Sequence, residues 1–307
     1  MSLPLPRVES MVTRMRFPIL AFGTPRKLPK PKHLAGRVVV LDIAFAAGSA
    51  GASFERTTLP FIEELGERLA VWVDHHDHVK HAQYSDDPRF VLSTKAEHGA
   101  CPEMITPELV TRIGSVDTIC CHTDFDGLCS AAKWMRAGRE PYQGADMDAH
   151  AIDTRIGKPG PLADRIDRAL RARYRDEALR GLIVRFLAGG ALDQGLYERI
   201  SQAADQLLPL EHEARRLAKG YQVDGKLALL DAREARRPYD KTLLLLLGQR
   251  CARVSLVHDA QTLTVAARFD SGIDLLDILG LHGGMPTVVS LHAGELERVV
   301  STLRQRL

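Results

Sequence analysis

The sequence predicts an α/β protein in which a doubly wound, mainly parallel sheet domain is joined by a helical bridge to a smaller α/β domain. Three observations lead to this prediction. Apolar runs typical of buried parallel strands alternate with helical patterns in the first half. A charged helical stretch follows, and a second set of apolar runs comes after it. Alternating strands and helices favour a parallel sheet with helices on both faces.

The first half contains four apolar runs that we predict as strands. They cover residues 37–44, 69–74, 116–122 and 148–153. The helical patterns around them cover residues 59–70, 103–113 and 128–137. Each apolar run ends in or beside an aspartate or a histidine. Because ligands bind at the carboxyl ends of the strands in open α/β sheets, we expect these side chains to converge on one edge.

The second half reads as helices followed by a new sheet. The pattern is helical and charged from 161 to 221, with a break at 188–190. Strands are predicted at 226–230, 253–258 and 263–268, and a helix is predicted at 239–247. A Gly-rich turn at 280–286 and a terminal helix from about residue 294 complete the pattern.

Composition excludes several classes of function. With 45% hydrophobic and 26% charged residues, the chain of 307 residues matches an average globular protein. A net charge of +2 does not indicate a long basic surface that binds a nucleic-acid strand. No apolar run approaches the ~20 residues that span a bilayer. None of the five cysteines forms a C-x-x-C pair, and Cys120 and Cys121 sit in an apolar run, so we expect reduced thiols and a cytoplasmic protein.

The N-terminal segment is basic. Between Glu9 and Asp42 it has no acidic residue, and its positive charges are Arg14, Arg16, Arg26, Lys27, Lys30, Lys32 and Arg37. The Pro- and Lys-rich stretch 25–33 is typical of an extended connector. The sequence leaves two interpretations open, a solvated arm and a phosphate-contacting arm.

The stretch VDHHDHVKH at 73–81 concentrates histidines and aspartates. It holds four of the twelve histidines of the chain within seven positions. Mixed carboxylates and imidazoles suit Mn²⁺, and Mg²⁺ or Zn²⁺ less distinctively. Crowded aspartates without a cation would repel one another, and a pair of divalent ions would relieve that repulsion.

Two motifs resemble the DHH phosphoesterase superfamily, which includes RecJ exonucleases and oligoribonuclease/pAp-phosphatase proteins. VDHH ends one apolar run, and HTDFDGLCSAAKW at 122–134 follows another. The small residues after Asp126 let a helix N-terminus approach a phosphate. In the family the second motif comes first, whereas here Asp42 and the D-H-H motif precede it. This order resembles a circular permutation of the sheet.

The resemblance implies roles for the residues at the strand ends. Asp124 and Asp126 would each hold one ion, and Asp42 would bridge the two. His75 and His122 would be ligands, and Asp74 would anchor the loop or join the bridge. His76 would face the substrate as an acid or hydrogen-bond donor. Asp153 is left open between a metal ligand and a residue of a substrate-side strand.

The C-terminal region resembles the family's DHHA1 domain. An arginine on a strand, Arg268, is followed by a turn that contains His282, Gly283 and Gly284, and these residues would bind the substrate phosphate. Met285 stands where the family has histidine, so His282 is the substitute candidate. The resemblance implies a basic arm at 1–35, a DHH-like metal-binding catalytic domain at 36–160, a helical bridge at 161–222 and a DHHA1-like substrate-binding domain at 223–307.

These features predict a Mn²⁺-dependent phosphoesterase that hydrolyses small nucleotides or short oligonucleotides by a two-metal mechanism. Two alternatives are a pyrophosphatase or polyphosphatase on the same site and a non-catalytic nucleotide-binding regulator. A rival zinc pattern, H-x-H-x-K-H at 76–81, places a lysine where metallo-β-lactamase-like hydrolases have an aspartate. We expect no membrane partner, and the sequence leaves a homodimer open.

Overall fold

A computed structural model describes residues 17–47 and 52–307, so Arg14 and Arg16 of the predicted arm lie outside the described residues. Its strands are β1 (Ile19–Phe22), β2 (Val38–Leu41), β3 (Leu69–Asp74), β4 (Asp77–His78), β5 (Phe90–Leu92), β6 (Thr118–Cys121), β7 (Gln222–Asp224), β8 (Leu227–Asp231), β9 (Val254–His258), β10 (Thr262–Ala267), β11 (Gly283–Gly284) and β12 (Val288–His292). Its α-helices are α1 (Leu59–Leu65), α2 (Pro107–Ile113), α3 (Phe125–Met135), α4 (Ala145–Thr154), α5 (Pro161–Ala172), α6 (Glu177–Ala188), α7 (Gln194–Asp205), α8 (Leu207–Leu217), α9 (Lys241–Gly248), α10 (Leu275–Leu279) and α11 (Leu296–Arg306).

The first sheet is parallel throughout and has the order β1–β6–β2–β3–β5. Its central strands consist of apolar residues because both faces are covered. Leu41 pairs with Val73 on one side and with Cys121 on the other. The carboxyl ends of β6, β2 and β3 are therefore level with one another. The residues that follow these strands emerge side by side.

Alternation along the strands divides the core between the two faces of this sheet. Leu41 and Val73 belong to one core cluster, which includes residues of α3, α5 and α6. Val40 and Trp72 belong to the other, which includes residues of α1. The predicted doubly wound arrangement is confirmed. The core of the first sheet continues without a break into α5, α6 and α7, within the segment predicted as a bridge.

Secondary structure differs from the sequence prediction at four places in the first half, one of which is the two-residue strand β4, absent from the prediction. Residues 148–153 were predicted as a strand, which is wrong, because they lie in α4. Ala145, Ala149 and Ile152 are buried there, and their spacing is helical. β5 was not predicted. β1, which lies within the predicted basic arm, was not predicted either, and it pairs with β6 as the edge strand of the sheet.

The second sheet is smaller and mixed, with the order β12–β10–β9–β8–β7. Only β8 and β9 are parallel, and the other pairs are antiparallel. α10 and α11 pack on one face, and α8 and α9 pack on the other. The sequence predicted β8, β9 and β10 but not the edge strands. The fold class, two α/β units joined by a helical segment, is confirmed.

The second unit contacts the first through a short strand pair. In β11, Gly283 pairs with His78 of β4, directly after the D-H-H motif. A Cβ at Gly283 would lie 2.3 Å from Cδ2 of His78, so this approach requires a glycine. The Gly-rich turn is thereby held against the loop that follows β3.

All five cysteines are free thiols, and only Cys251 is exposed. None of the helices in the described part of the chain is long and apolar enough to cross a membrane.

Replacing Trp72 by alanine should destabilise the protein by about 3–5 kcal/mol. The indole is fully buried, its rings contact Phe45 and Phe61, and its Nε1 donates a hydrogen bond of 2.8 Å to the carbonyl of Ile43. Urea unfolding measures the loss. Leu192→Ala, at a side chain that is 85% exposed, is the control and should change stability by less than about 0.5 kcal/mol. A loss of about 1 kcal/mol or less in Trp72→Ala would contradict the assigned core.

Candidate metal centre

Asp42 follows β2 and lies at the centre of the candidate site. Its backbone N–H donates a hydrogen bond of 2.8 Å to the carbonyl of Val73, and its φ of 59° is unusual for a residue with a side chain. The residue is buried, and its carboxylate oxygens are flanked by the imidazoles of His75 and His122, at 3.1 and 3.6 Å, with no backbone or ammonium donor among the described residues. Burial raises the pKa of Asp42, and the nearby charges of Asp126 and Asp124 raise it further.

The end of β3 carries Asp74, His75 and His76, which are held in fixed orientations. Nδ1 of His76 lies 2.8 Å from Oδ1 of Asp74, whose side chain is fully buried. Nδ1 of His75 lies 2.8 Å from the carbonyl oxygen of His98 and donates to it. The Nε2 atom of His75 therefore faces the site, 3.1 Å from Oδ1 of Asp42 and 3.3 Å from Oδ2 of Asp126.

Charge and burial act in opposite directions on these groups. Burial lowers the pKa of His76 more than the Asp74 carboxylate raises it. Burial alone would raise the pKa of Asp74. The imidazoles around it, led by His76, together have the larger effect, so the pKa of Asp74 is lowered overall. For His75, burial lowers the pKa, but Asp126 and Asp42 outweigh it and raise the pKa overall. A carboxylate that fixes a neighbouring imidazole is a common arrangement at catalytic and metal sites.

The turn from β6 into α3 supplies His122, Asp124 and Asp126. Nδ1 of His122 lies 2.7 Å from Oδ2 of Asp124 and 3.6 Å from Oδ2 of Asp42. Asp124 caps α3 by accepting a hydrogen bond of 3.3 Å from the amide of Gly127. A Cβ at Gly127 would lie 2.8 Å from the carbonyl oxygen of His122, so glycine allows the helix to start this close to the strand end.

The structure brings together the predicted metal residues that follow β2, β3 and β6, together with Asp153. They form three sets whose ligand atoms all lie within 4.8 Å of one another: Asp42, His122 and Asp124; Asp42, His75 and His76; and His75, Asp126 and Asp153. Asp42 belongs to two sets, as a bridging carboxylate would. Asp74 lies behind His76 and outside these sets.

The first set, Asp42, His122 and Asp124, fits a divalent cation. Its donors are two carboxylates and one imidazole, which Mn²⁺, Mg²⁺ and Zn²⁺ all accept. The burial of Asp42 beside two other aspartates supplies a second observation, because a buried carboxylate with no ammonium or backbone donor costs free energy unless a cation compensates it. These three residues would hold one ion between β2 and the start of α3.

The third set contains a lysine that the sequence analysis missed. Lys95 is buried, its Nζ lies 2.9 Å from Nε2 of His75, and it forms an ion pair with Asp153. Burial lowers the pKa of Lys95, but the charges of Asp153, Asp126 and Asp42 outweigh it and raise the pKa. The surrounding stretch, STKAEHG, carries no motif that would have identified this residue.

Three of the four predicted substrate residues line two cavities between the sheet domains, and His282 lines neither of them. The first has a volume of about 460 Å³ and is lined by His122, Gly283 and Gly284, together with Arg26 from the predicted arm. Arg26 also donates a hydrogen bond of 3.1 Å to the carbonyl of Ser290. Sequence analysis did not assign it to the site.

The second cavity has a volume of about 810 Å³, and both Asp153 and Arg268 line it. The Arg268 side chain is 67% exposed and pairs with Asp270 at 2.8 Å. His282 is exposed, and its carbonyl oxygen accepts a hydrogen bond of 3.2 Å from the amide of Val79.

His78 and His81, which the rival zinc pattern requires, belong to none of the three donor sets. Their rings pack edge-on against Phe45, with centroid distances of 5.6 and 5.1 Å. Burial lowers the pKa of His78 to about 4. Both rings therefore have a packing role around Phe45.

Comparison with known proteins supports the fold assignment. No protein-family model matches the sequence, and no curated protein matches it. Among solved structures, exonuclease RecJ bound to manganese is 14% identical, with a TM-score of 0.48 over 94% of this chain and 90% of the other. The pGpG-specific phosphodiesterase PggH from Vibrio cholerae is 11% identical, with a TM-score of 0.40 over 89% of this chain and 98% of the other.

RecJ in complex with Mn²⁺ from Thermus thermophilus is 14% identical, with a TM-score of 0.51 over 94% of this chain. The chain shares the fold of RecJ. The resemblance stated from the two motifs is thus confirmed at the level of the fold. The chain spans 51% of the Thermus RecJ chain. This likeness therefore shows the fold and does not show the activity of the whole RecJ protein.

Replacing Asp42 by asparagine should lower Mn²⁺ affinity at least about 100-fold, since even outer-shell changes cost 10–100-fold. Asparagine tolerates positive φ, so the backbone is kept. Isothermal titration calorimetry measures the effect. Asp86→Asn, at an exposed aspartate, is the control. Unchanged affinity in Asp42→Asn would contradict this centre.

Proposed function

We propose that this protein is a metal-dependent phosphoesterase of the DHH type, with Mn²⁺ as its cofactor and a small nucleotide or short oligonucleotide as its substrate. The observation that carries the proposal is the buried carboxylate of Asp42, which lies between the imidazoles of the D-H-H motif and of the H-x-D-x-D-G motif. The RecJ fold, whose representatives here bind manganese, supports the choice of metal.

Three residues would bind the cofactor ion and position it beside the substrate: Asp42, His122 and Asp124. A divalent ion at this place lowers the pKa of a water molecule and stabilises charge on phosphoryl oxygens. Asp124 is partly exposed, with 46% of its side chain accessible, and His122 of the same set lines the first cavity. Asp42 closes the opposite, buried side.

His76 would act on the substrate. Nδ1–H of His76 donates to Asp74, which leaves Nε2 as the ring nitrogen for the substrate; Nε2 accepts a proton in the neutral ring and donates to a substrate oxygen once the ring is protonated. The fully buried Asp74 holds the ring and stabilises its protonated form when a proton is transferred. We assign His76 as the proton donor or hydrogen-bond donor to the substrate, and Asp74 as its positioning residue.

The cavities support a small anionic substrate. Volumes of about 460 and 810 Å³ are typical of small-ligand sites. Arg26 borders the first cavity, and Arg155, Arg250 and Arg268 border the second. Guanidinium groups bind phosphate oxygens in a bidentate manner. A dinucleotide or nucleoside bisphosphate matches these dimensions better than a long strand, which would need a continuous basic channel.

Incubation with Mn²⁺ and pGpG, pAp, cyclic di-AMP, short single strands or pyrophosphate should reveal turnover of a nucleotide. Asp124→Ala should lower kcat/KM at least about 100-fold, because several kcal/mol of charge stabilisation are lost with the ion. Asp86→Ala is the matched control, and chelation followed by added Mn²⁺ should abolish and then restore activity. Turnover of pyrophosphate alone would favour the pyrophosphatase alternative, and tight nucleotide binding without turnover would favour the regulator.

Arg268→Ala should raise KM roughly 10–100-fold with little change in kcat, since one charge-assisted hydrogen bond to phosphate is lost. Arg233→Ala is the matched control, because Arg233 is similarly exposed and pairs with Asp231 in the same manner, but borders neither cavity. Equal KM values for the two variants would remove Arg268 from the substrate site.

A further inference from the structure

We propose that the ammonium group of Lys95 permanently occupies the second cation position of this centre, so that the protein binds one divalent ion where a two-metal enzyme binds two. The inference rests on the proposed function only in taking the carboxylate cluster to be a cation site. It replaces the two-metal mechanism expected from the sequence with one resident ion and one fixed ammonium.

The position of the ammonium group is the first reason. His75, Asp126 and Asp153 have the donor types and spacing of a metal site, with ligand atoms within 4.8 Å of one another. Nζ of Lys95 contacts two of these three residues, at 2.9 Å from Nε2 of His75 and in an ion pair with Asp153. An ion that coordinated the same atoms at about 2.0–2.2 Å would overlap with Nζ.

The burial of Lys95 is the second reason. Only 2% of its side chain is accessible, so the ammonium is enclosed by the cluster. A buried ammonium is stable only with compensating charge, and Asp153, Asp126 and Asp42 supply that charge. Removing the lysine would leave those carboxylates uncompensated, as removal of a metal ion does.

The loop that carries Lys95 is fixed at several points. The amide of Ser93 donates a hydrogen bond of 2.9 Å to the carbonyl of Asp74, and the amide of Lys95 donates one of 3.3 Å to Asp77. The carbonyl of His98 accepts from the ring of His75. The same short segment therefore orients one proposed ligand and delivers the ammonium that faces it.

The first cation position differs from the second, because no side-chain ammonium of the described residues lies within it. Asp42, His122 and Asp124 have no lysine or arginine nitrogen within ion-pair distance among the described residues. The groups beside the Asp42 carboxylate are the imidazoles of His75 and His122. One position of the centre thus holds a lysine ammonium, and the other holds none among the described residues.

The test counts bound ions in the full-length protein. After dialysis against Mn²⁺, elemental analysis should give one ion per chain for the wild type and two for Lys95→Ala. Electron paramagnetic resonance should show an isolated Mn²⁺ in the wild type and a magnetically coupled pair in Lys95→Ala, because paired ions lie ~3.5–4 Å apart. Lys95→Arg keeps a cation and should bind one ion. Equal counts in wild type and Lys95→Ala would overturn the inference.

Lys133→Ala is the matched control. Lys133 is also buried, pairs with Asp146 and donates a hydrogen bond of 2.9 Å to the carbonyl of Pro102, but it lies outside the three donor sets. This variant should bind one ion. If Lys95→Ala does not fold, the wild-type count decides: one ion supports the inference, and two ions overturn it. Absence of bound ions in the wild type and in the variant contradicts the metal dependence of the proposed function as well.

Discussion

The crowding of carboxylates at the ends of β2 and β6 is the constraint on which this structure depends. Asp42, Asp124 and Asp126 lie close enough for their charges to raise the pKa of the buried Asp42. Such a cluster is stable only with positive charge inside it. Lys95 supplies part of that charge from one side. The side that includes Asp124 is the one that a divalent ion would complete.

The fold explains why this cluster can form from distant parts of the chain. Parallel strands bring their carboxyl ends to one edge, and the level registers of β6, β2 and β3 set the following residues side by side. β6 lies next to β2 in the sheet, although it comes after β3 along the chain. The order of the motifs along the chain therefore does not change their positions in the sheet. A permuted order is therefore compatible with an intact centre.

The sequence predicted the strands and motifs that have strong local patterns. The runs that became β2, β3 and β6 are continuous and apolar, and each is followed by a motif residue. The strand prediction for residues 148–153 was wrong, because alternating alanines there give the two-residue period of a strand. Lys95 and Arg26 could not be identified, since a single lysine or arginine carries no spacing pattern. Their placement depends on loop paths and on the contact between the domains.

Anomalous diffraction at the manganese absorption edge, from crystals grown with Mn²⁺, tests the central claim most directly. The account predicts one peak, in contact with Asp42, His122 and Asp124, with the Lys95 ammonium remaining beside His75 and Asp153. Absence of a peak at Asp42 would contradict the account, as would a peak found only at a site remote from the ends of β2, β3 and β6.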